Sequence, residues 1–226
     1  SAPDRERAAL AGREDDERRA ARFRHAIRGR RWLDVGTGAG GILDLLVPLA
    51  SETRAVEPQP AAREALRACG YVVHPTLDEA QDGHAEVVTL FHVLEHLVEP
   101  VAALGTIRAK MAPGGELVVE VPHANDFLLS FLESEEFKAF TLWSEHLVLH
   151  TRRSLAAFLE RAGFRDVAVT GCQRYPLANH LHWLARKRPG GHLAWKQLRT
   201  PELDAAYARM LDDLDMTDTL VATARR

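Results

Sequence analysis

Residues 33–41 read Leu33-Asp34-Val35-Gly36-Thr37-Gly38-Ala39-Gly40-Gly41. A short apolar run, 32–35, leads straight into the glycines, and an apolar stretch with helical spacing, 41–49, follows them. A strand, a tight loop and a helix start aim backbone N–H groups and a positive helix end at a ligand. Gly36, Gly38 and Gly41 fit G-x-G-x-x-G, the dinucleotide fingerprint. The same run fits D-x-G-x-G-x-G. A tight turn whose glycines serve packing alone is a third reading.

Strand and helix patterns alternate beyond the loop. Strands are expected at 53–56, 71–74, 85–91, 116–121, 167–172 and 219–224, and helices at 61–69, 100–111 and from Ser154 to Gly163. Pro113-Gly114-Gly115 reads as a turn. This alternation predicts an α/β fold with a Rossmann-like, mostly parallel seven-stranded sheet and helices on both faces. Two helical stretches, 176–187 and 201–214, precede the last strand. They form a helical insertion at about 176–215, placed to lie over the carboxyl end of the sheet, where such folds bind ligands. Residues 1–31 form an N-terminal helical segment in which Ala20, Phe23, Ala26 and Ile27 recur at helical spacing. Its many arginines read as a solvated face.

Asp34 and Glu57 discriminate among ligands. A carboxylate two residues before Gly36 repels a pyrophosphate but suits an ammonium group. Glu57 ends the second strand about twenty residues on, where an acid holds both ribose hydroxyls. A ligand with a ribose and an amino-acid ammonium, but no phosphate, is S-adenosylmethionine (SAM).

The segments "LDVGTGAGG", "AVEP", "VVTLFHVLEHLVEP", "MAPGGELVVEVP" and "LHTRRSLAAFLERAGF" occur in that order. Over roughly residues 20–172 this set resembles the class I SAM-dependent methyltransferases. The resemblance implies that 32–226 is the methyltransferase domain. It also implies that Asp34, Gly36, Thr37, Gly38 and Gly40 line the methionine side of the cofactor. Glu57, with Pro58 beside it, would hold the ribose, Asp78 would be a candidate adenine contact, and Phe91 would belong to the cofactor site. The loop position that is often Cys in relatives is Thr37 here, which matters little where the backbone carries the contact.

"FHVLEHL" supplies His92, Glu95 and His96, which share one face if the segment is helical. H-x-x-E-H is also a metalloprotease motif, but here it directly follows a buried strand. A structural role beneath the cofactor is a second reading, and a metal or acid–base site is a third. The quinone-biosynthesis O-methyltransferases and the small-RNA 3′-end methyltransferases carry E-x-x-E-H at this place with metal-binding roles. That similarity implies a metal set of His92, Glu95, His96 and His146. Histidine in place of the first glutamate makes the set less anionic and favours zinc, manganese or iron over magnesium. Without a metal, His92, His96 or His146 is the expected general base.

"VPHAND" places His123 and Asn125 where acceptor contacts are expected, with loop capping as the competing role. "QRYPLANHLHWLARKRPGGH" adds Tyr175, Asn179, His180, His182 and Trp183. Trp and Tyr faces with amide donors suit a polyhydroxylated ring, although Trp183 also fits a core position. Arg186, Lys187 and Arg188 read as a solvated helix end that a phosphate would also suit. This tail is similar to that of methyltransferases of surface-polysaccharide and sugar biosynthesis. It implies a small-molecule or glycan acceptor methylated on a sugar hydroxyl, with a phenolic or quinone-precursor hydroxyl as runner-up.

Composition bounds the alternatives. The 226 residues are 46% hydrophobic and 27% charged, with net charge −3. No global field attracts nucleic acid, so no nucleic-acid partner is expected. No apolar run reaches the length of a membrane span, and no signal peptide opens the chain. Two distant cysteines, Cys69 and Cys172, read as reduced thiols in a cytoplasmic protein. Opening on Ser1 instead of Met, the chain reads as trimmed. Two other functions share the loop. One is an NAD-dependent oxidoreductase. The other is a non-catalytic SAM-binding partner subunit, which would tolerate loss of His92, Glu95, His96 and His146.

Overall fold

The computed structural model describes residues 2–142 and 146–226. Two helices, α1 (Ala2–Ala11) and α2 (Arg13–Ile27), precede the first strand, β1 (Arg31–Val35). There follow α3 (Gly41–Leu46), β2 (Glu52–Val56), α4 (Pro60–Ala68), β3 (Val73–His74), β4 (Ala85–Phe91), α5 (Pro100–Lys110) and β5 (Met111–Pro122). The second half contains α6 (Glu135–Thr141), α7 (Arg152–Arg161), β6 (Arg165–Cys172), α8 (Leu177–Arg186), α9 (Gly191–Ala194), α10 (Pro201–Asp213) and β7 (Thr219–Arg225).

The strands form one sheet in the order β3-β2-β1-β4-β5-β7-β6. β7 runs antiparallel to β5 and β6, and the remaining pairs are parallel. β1, β4 and β5 are nearly continuous apolar runs because helices cover both of their faces. On one face Leu104 and Ile107 of α5 and Leu155 and Leu159 of α7 pack on Leu33, Val88, Leu90 and Val119. On the other, Ala20, Phe23 and Ile27 of α2 join Ile42, Leu43 and Leu46 of α3 against Trp32, Val87 and Val118. Strand order reverses between β1 and β4, which opens a crevice at their carboxyl ends.

Local chemistry sets three details that differ from the sequence reading. Pro113-Gly114-Gly115 is not a turn ahead of β5. It lies within the strand, with Gly114 at φ 74° and a register shift opposite Ala85 and Val87, so the glycines make a bulge instead of a turn. Helix α7 is capped by Thr151, whose hydroxyl accepts from Ser154 N, and Ser154 answers as the third helical residue of a capping box. The segment after β4 is a single 3-10 turn, Leu94–His96, and not a longer helix. His92, at φ 55°, breaks the backbone path before it.

Candidate active site

The glycine loop is held by its own neighbours. The Gly36 and Thr37 amides both donate to Val56 O, Gly40 N donates to Thr37 O, and Gly38 N donates to Glu57 Oε2 at 2.8 Å. Gln59 N donates to Glu57 Oε1 at 2.9 Å. Most of the amides that would cradle a pyrophosphate are therefore already used, and a carboxylate stands against the loop. Gly36 takes φ 74°, and a Cβ there would meet Val93 Cγ2 at 2.4 Å, so the loop and the segment after β4 touch. Gly38 also has positive φ, but a Cβ there would meet nothing within 4 Å. That open space beside the Glu57 carboxylate leaves room for a ligand.

Asp34 is the second carboxylate. It is buried, and Thr89 Oγ1 donates to it at 2.5 Å while Trp32 Nε1 donates to Thr89 at 2.8 Å. Burial pushes its pKa up to about 6, against the hydrogen bonds that favour the charged form. Phe91, at the end of β4, stacks on Phe23 with ring centroids 5.8 Å apart, and the Arg19 guanidinium lies 4.8 Å above its ring. Pro58 is exposed beside Glu57, and Asp78 is exposed on the one-turn helix Leu77–Glu79 after β3.

Arg13, Arg22 and Arg24 of α2 are exposed, as a solvated face requires, but Arg18 and Arg19 turn inward. Arg18 and Arg19 converge on Glu120, a fully buried carboxylate of β5, with N–O distances of 2.8 and 2.7 Å. Burial would push Glu120 up, but His92, Arg18 and Arg19 outweigh it and hold the group well below the usual carboxylate range. An acid inside the otherwise apolar strand "LVVEVP" was the available sequence signal. Asp15, one turn earlier on α2, pairs with Arg174. Arg174 in turn stands 3.2 Å from His92 Nε2.

These contacts split the H-x-x-E-H residues. His92 Nδ1 lies 3.2 Å from Glu95 Oε1 and Nε2 lies 3.3 Å from Glu120 Oε1, so both ring nitrogens face protein groups. Among the described residues, the group able to hold a metal ion is Glu95, His96 and His146, whose ligand atoms all lie within 4.8 Å of one another. His92 stands outside it because the 3-10 turn and its left-handed φ direct the ring elsewhere. The three residues fit an ion. Glu95 Oε2 is buried with no hydrogen-bond partner. His146 Nδ1 donates to Thr141 O at 2.7 Å, which selects the tautomer whose Nε2 carries the lone pair. Two imidazoles and one carboxylate suit zinc, iron or manganese.

A cavity of about 700 Å³ opens beside this group. Its apolar wall is Phe137, Phe140 and Trp183, with Trp183 edge-on to Phe137 at 5.2 Å and tilted to Phe140 at 5.3 Å. His92, His123, His146, Tyr175, Asn179 and His180 contribute polar groups. Trp183 is thus both buried and a wall of the cavity. The positions of α8 and α9 depend on Gly191: a Cβ there would meet His182 Cβ at 2.3 Å and Asn179 Cα at 2.8 Å.

Not every expected acceptor residue reaches this space. Asn125 turns its amide to Asp215 at 3.2 Å and is not part of the lining. His123 is buried, its Nδ1 donates to Thr217 O at 2.9 Å, and burial lowers its pKa. The neighbouring Asp126 caps the next turn through Leu128 N and Leu129 N. Burial, with Asp218 nearby, pushes its pKa up to about 7. Arg186, Lys187 and Arg188 are exposed, and Lys187 pairs with Glu136 at 3.3 Å. Spacing gave no hint of Phe137, Phe140 or Arg174, because a separate helix and a strand-to-helix link bring them in.

Comparison with known proteins then settles the family. Residues 6–169 match the methyltransferase domain family. The chain belongs to that family. It is a SAM-dependent methyltransferase domain with a Rossmann-like sheet. It is similar to the ubiquinone biosynthesis O-methyltransferase of Xanthomonas euvesicatoria, 25% identical over 71% of this chain and 73% of that protein. The mitochondrial ubiquinone biosynthesis O-methyltransferase of Schizosaccharomyces pombe is 29% identical over 43% of this chain. The match spans only 40% of the fission-yeast protein's length. Among solved structures, a SAM-dependent methyltransferase from Archaeoglobus fulgidus superposes with a TM-score of 0.63. It is 19% identical, with 93% of this chain and 94% of that one covered. No described helix is long and apolar enough to cross a membrane.

Proposed function

We propose that this methyltransferase domain carries out O-methylation of a ring hydroxyl, with a sugar hydroxyl of a glycoside or nucleotide-sugar as the acceptor. The observation that carries the reading is one backbone step. Val93 packs on the cofactor loop at Gly36, while the preceding residue, His92, lines the acceptor cavity. Cofactor loop and cavity therefore meet at the end of β4. The cavity is far larger than a lone catechol needs, and histidine, asparagine and tyrosine side chains interrupt its mainly apolar lining, which suits a ring bearing several hydroxyls.

SAM, when bound, supplies a methyl group already activated on a sulfonium. The protein must place an acceptor oxygen about 3 Å from that carbon and in line with the breaking bond. Asp34 and Glu57 fix the cofactor's ammonium and ribose ends. The Phe137–Phe140–Trp183 wall orients the acceptor ring and excludes water. With no ion held there, His96 or His146 takes the hydroxyl proton as transfer proceeds. Glu95, His96 and His146 would hold a divalent ion, which lowers the pKa of a hydroxyl touching it.

A second reading, a phenolic hydroxyl of a quinone precursor, is favoured by the relatives that are ubiquinone biosynthesis O-methyltransferases. Labelled SAM offered with sugar nucleotides, glycosides or catechols, each with and without a chelator, separates the readings. Label in the sugar pools supports the first, and label confined to catechols replaces it with the second. Loss of transfer with chelator supports metal assistance.

A further inference from the structure

The insertion contributes more than a wall. His180, on α8, lines the cavity and is only 3% exposed. Its Nδ1 lies 2.6 Å from the hydroxyl of Tyr207 on α10. Its ring stacks on Phe127 at 5.8 Å with planes 15° apart, and Tyr207 meets it edge-on at 5.5 Å. The ring therefore has a fixed plane and one occupied nitrogen. A phenol is the stronger donor of the two, so its O–H points to Nδ1 and the proton of the neutral ring sits on Nε2. Burial lowers the His180 pKa to about 4, which keeps the ring neutral over the working range.

Asn179 is constrained in the same way. Gly191 N donates to its Oδ1 at 3.0 Å, which assigns the oxygen and leaves Nδ2 as the other end of the amide. Asn179 also lines the cavity and is buried. Two adjacent residues of α8 thus present N–H donors, each oriented by a partner on a different inserted helix.

We propose that Asn179 and His180 form a donor pair that receives lone pairs of an acceptor oxygen, and that Tyr207 is the positioning residue that holds His180 as the Nε2–H tautomer. This rests on the O-methylation reading and narrows it. The pair selects acceptors bearing a hydroxyl, ether or carbonyl oxygen next to the methylated position, and it disfavours an ammonium group, which offers only donors. Sugars and oxygenated phenols share that chemistry.

The first test needs no acceptor. Nitrogen NMR of histidine-labelled protein, with S-adenosylhomocysteine added, reports the tautomer, and His180→Asn identifies the resonances. The expected result is a neutral ring protonated at Nε2 with Nδ1 accepting a hydrogen bond. Tyr207→Phe, shown to be folded by its melting temperature, should lose that Nδ1 signature. A ring protonated at Nδ1, or a spectrum unchanged by Tyr207→Phe, overturns the assignment. The second test uses whichever glycoside or catechol takes up label. Tyr207→Phe should raise its KM about tenfold with kcat little changed. Tyr207→His, which restores a donor, should recover part of the loss. A KM unchanged in Tyr207→Phe overturns the recognition role. The tautomer result stands even if no methyl transfer is found, so failure of this inference and failure of the O-methylation reading are distinguishable.

Discussion

Arg174 Nη1 stands 3.2 Å from Nε2 of His92, on the ring whose Nδ1 lies 3.2 Å from Glu95. Arg174 is itself tied to Asp15 of the N-terminal helix. This chain of contacts draws His92 away from the metal-type group and links α2 to the acceptor cavity. His92 then orients Glu95, and Glu95, His96 and His146 are left as the candidate ion ligands.

Metal content tests that division. Purified wild type should bind about one zinc, manganese or iron ion per chain by elemental analysis. His92→Ala should keep the ion, because its ring nitrogens serve other groups. Glu95→Gln and His96→Ala should lose it. Loss in His92→Ala to the same degree would return His92 to the ligand set.

Glu57 accepts the Gly38 and Gln59 amides and has lone pairs left for ribose hydroxyls. Glu57→Ala should weaken S-adenosylhomocysteine binding by about 2 kcal/mol, roughly thirtyfold, as expected for charge-assisted bonds. Calorimetric titration measures this directly. Unchanged affinity removes Glu57 from the cofactor site.

If Asp34 holds the cofactor's ammonium end as proposed, cofactor affinity depends on pH. Its pKa in the fold is raised to about 6, so below the unfolded value its protonated form contributes stability, and that contribution is lost as pH rises through 6. A bound ammonium pulls the pKa back down, so affinity for S-adenosylhomocysteine should rise with pH through that range. Asp34→Asn should flatten the dependence, weaken binding and stabilise the cofactor-free protein by roughly 3 kcal/mol near neutral pH. Equal affinity on both sides of pH 6 in the wild type contradicts this account.

Glu120 has the opposite sign. Its pKa is held well below the ordinary value, so its contribution is present above about pH 4.3 and is lost as pH falls through the depressed value. Glu120→Gln removes the buried anion that Arg18 and Arg19 share, leaving them only Asp15 and Asp16, and should cost about 2–3 kcal/mol. The cost is reduced because both arginines keep some solvent access. Urea unfolding measures it, and the gap from wild type should close in acid.

The strands were legible because β1, β4 and β5 are short apolar runs between glycines and helix signals, and burial on both faces demands that pattern. That the glycine loop follows β1 and Glu57 follows β2 was legible for the same local reason. The H-x-x-E-H segment misled because spacing assumes a regular helix. The backbone takes a left-handed step at His92 and a single 3-10 turn, which keeps His92 against Glu95 and Glu120 but outside the Glu95–His96–His146 group. Arg18, Arg19 and Arg174 were missed because each finds its partner on a distant element. Phe137 and Phe140 were missed because α6 is short and its partner, Trp183, comes more than forty residues later.

The most direct test of the central claim is carbon NMR of the product made from SAM labelled in its methyl group, with a glycoside and sugar-nucleotide pool as acceptor. A new methyl resonance in the range of a methyl ether is expected, formed in step with S-adenosylhomocysteine and much reduced in Glu57→Ala at limiting SAM. A methyl resonance on nitrogen or carbon, or S-adenosylhomocysteine formed with no methylated product, would contradict it.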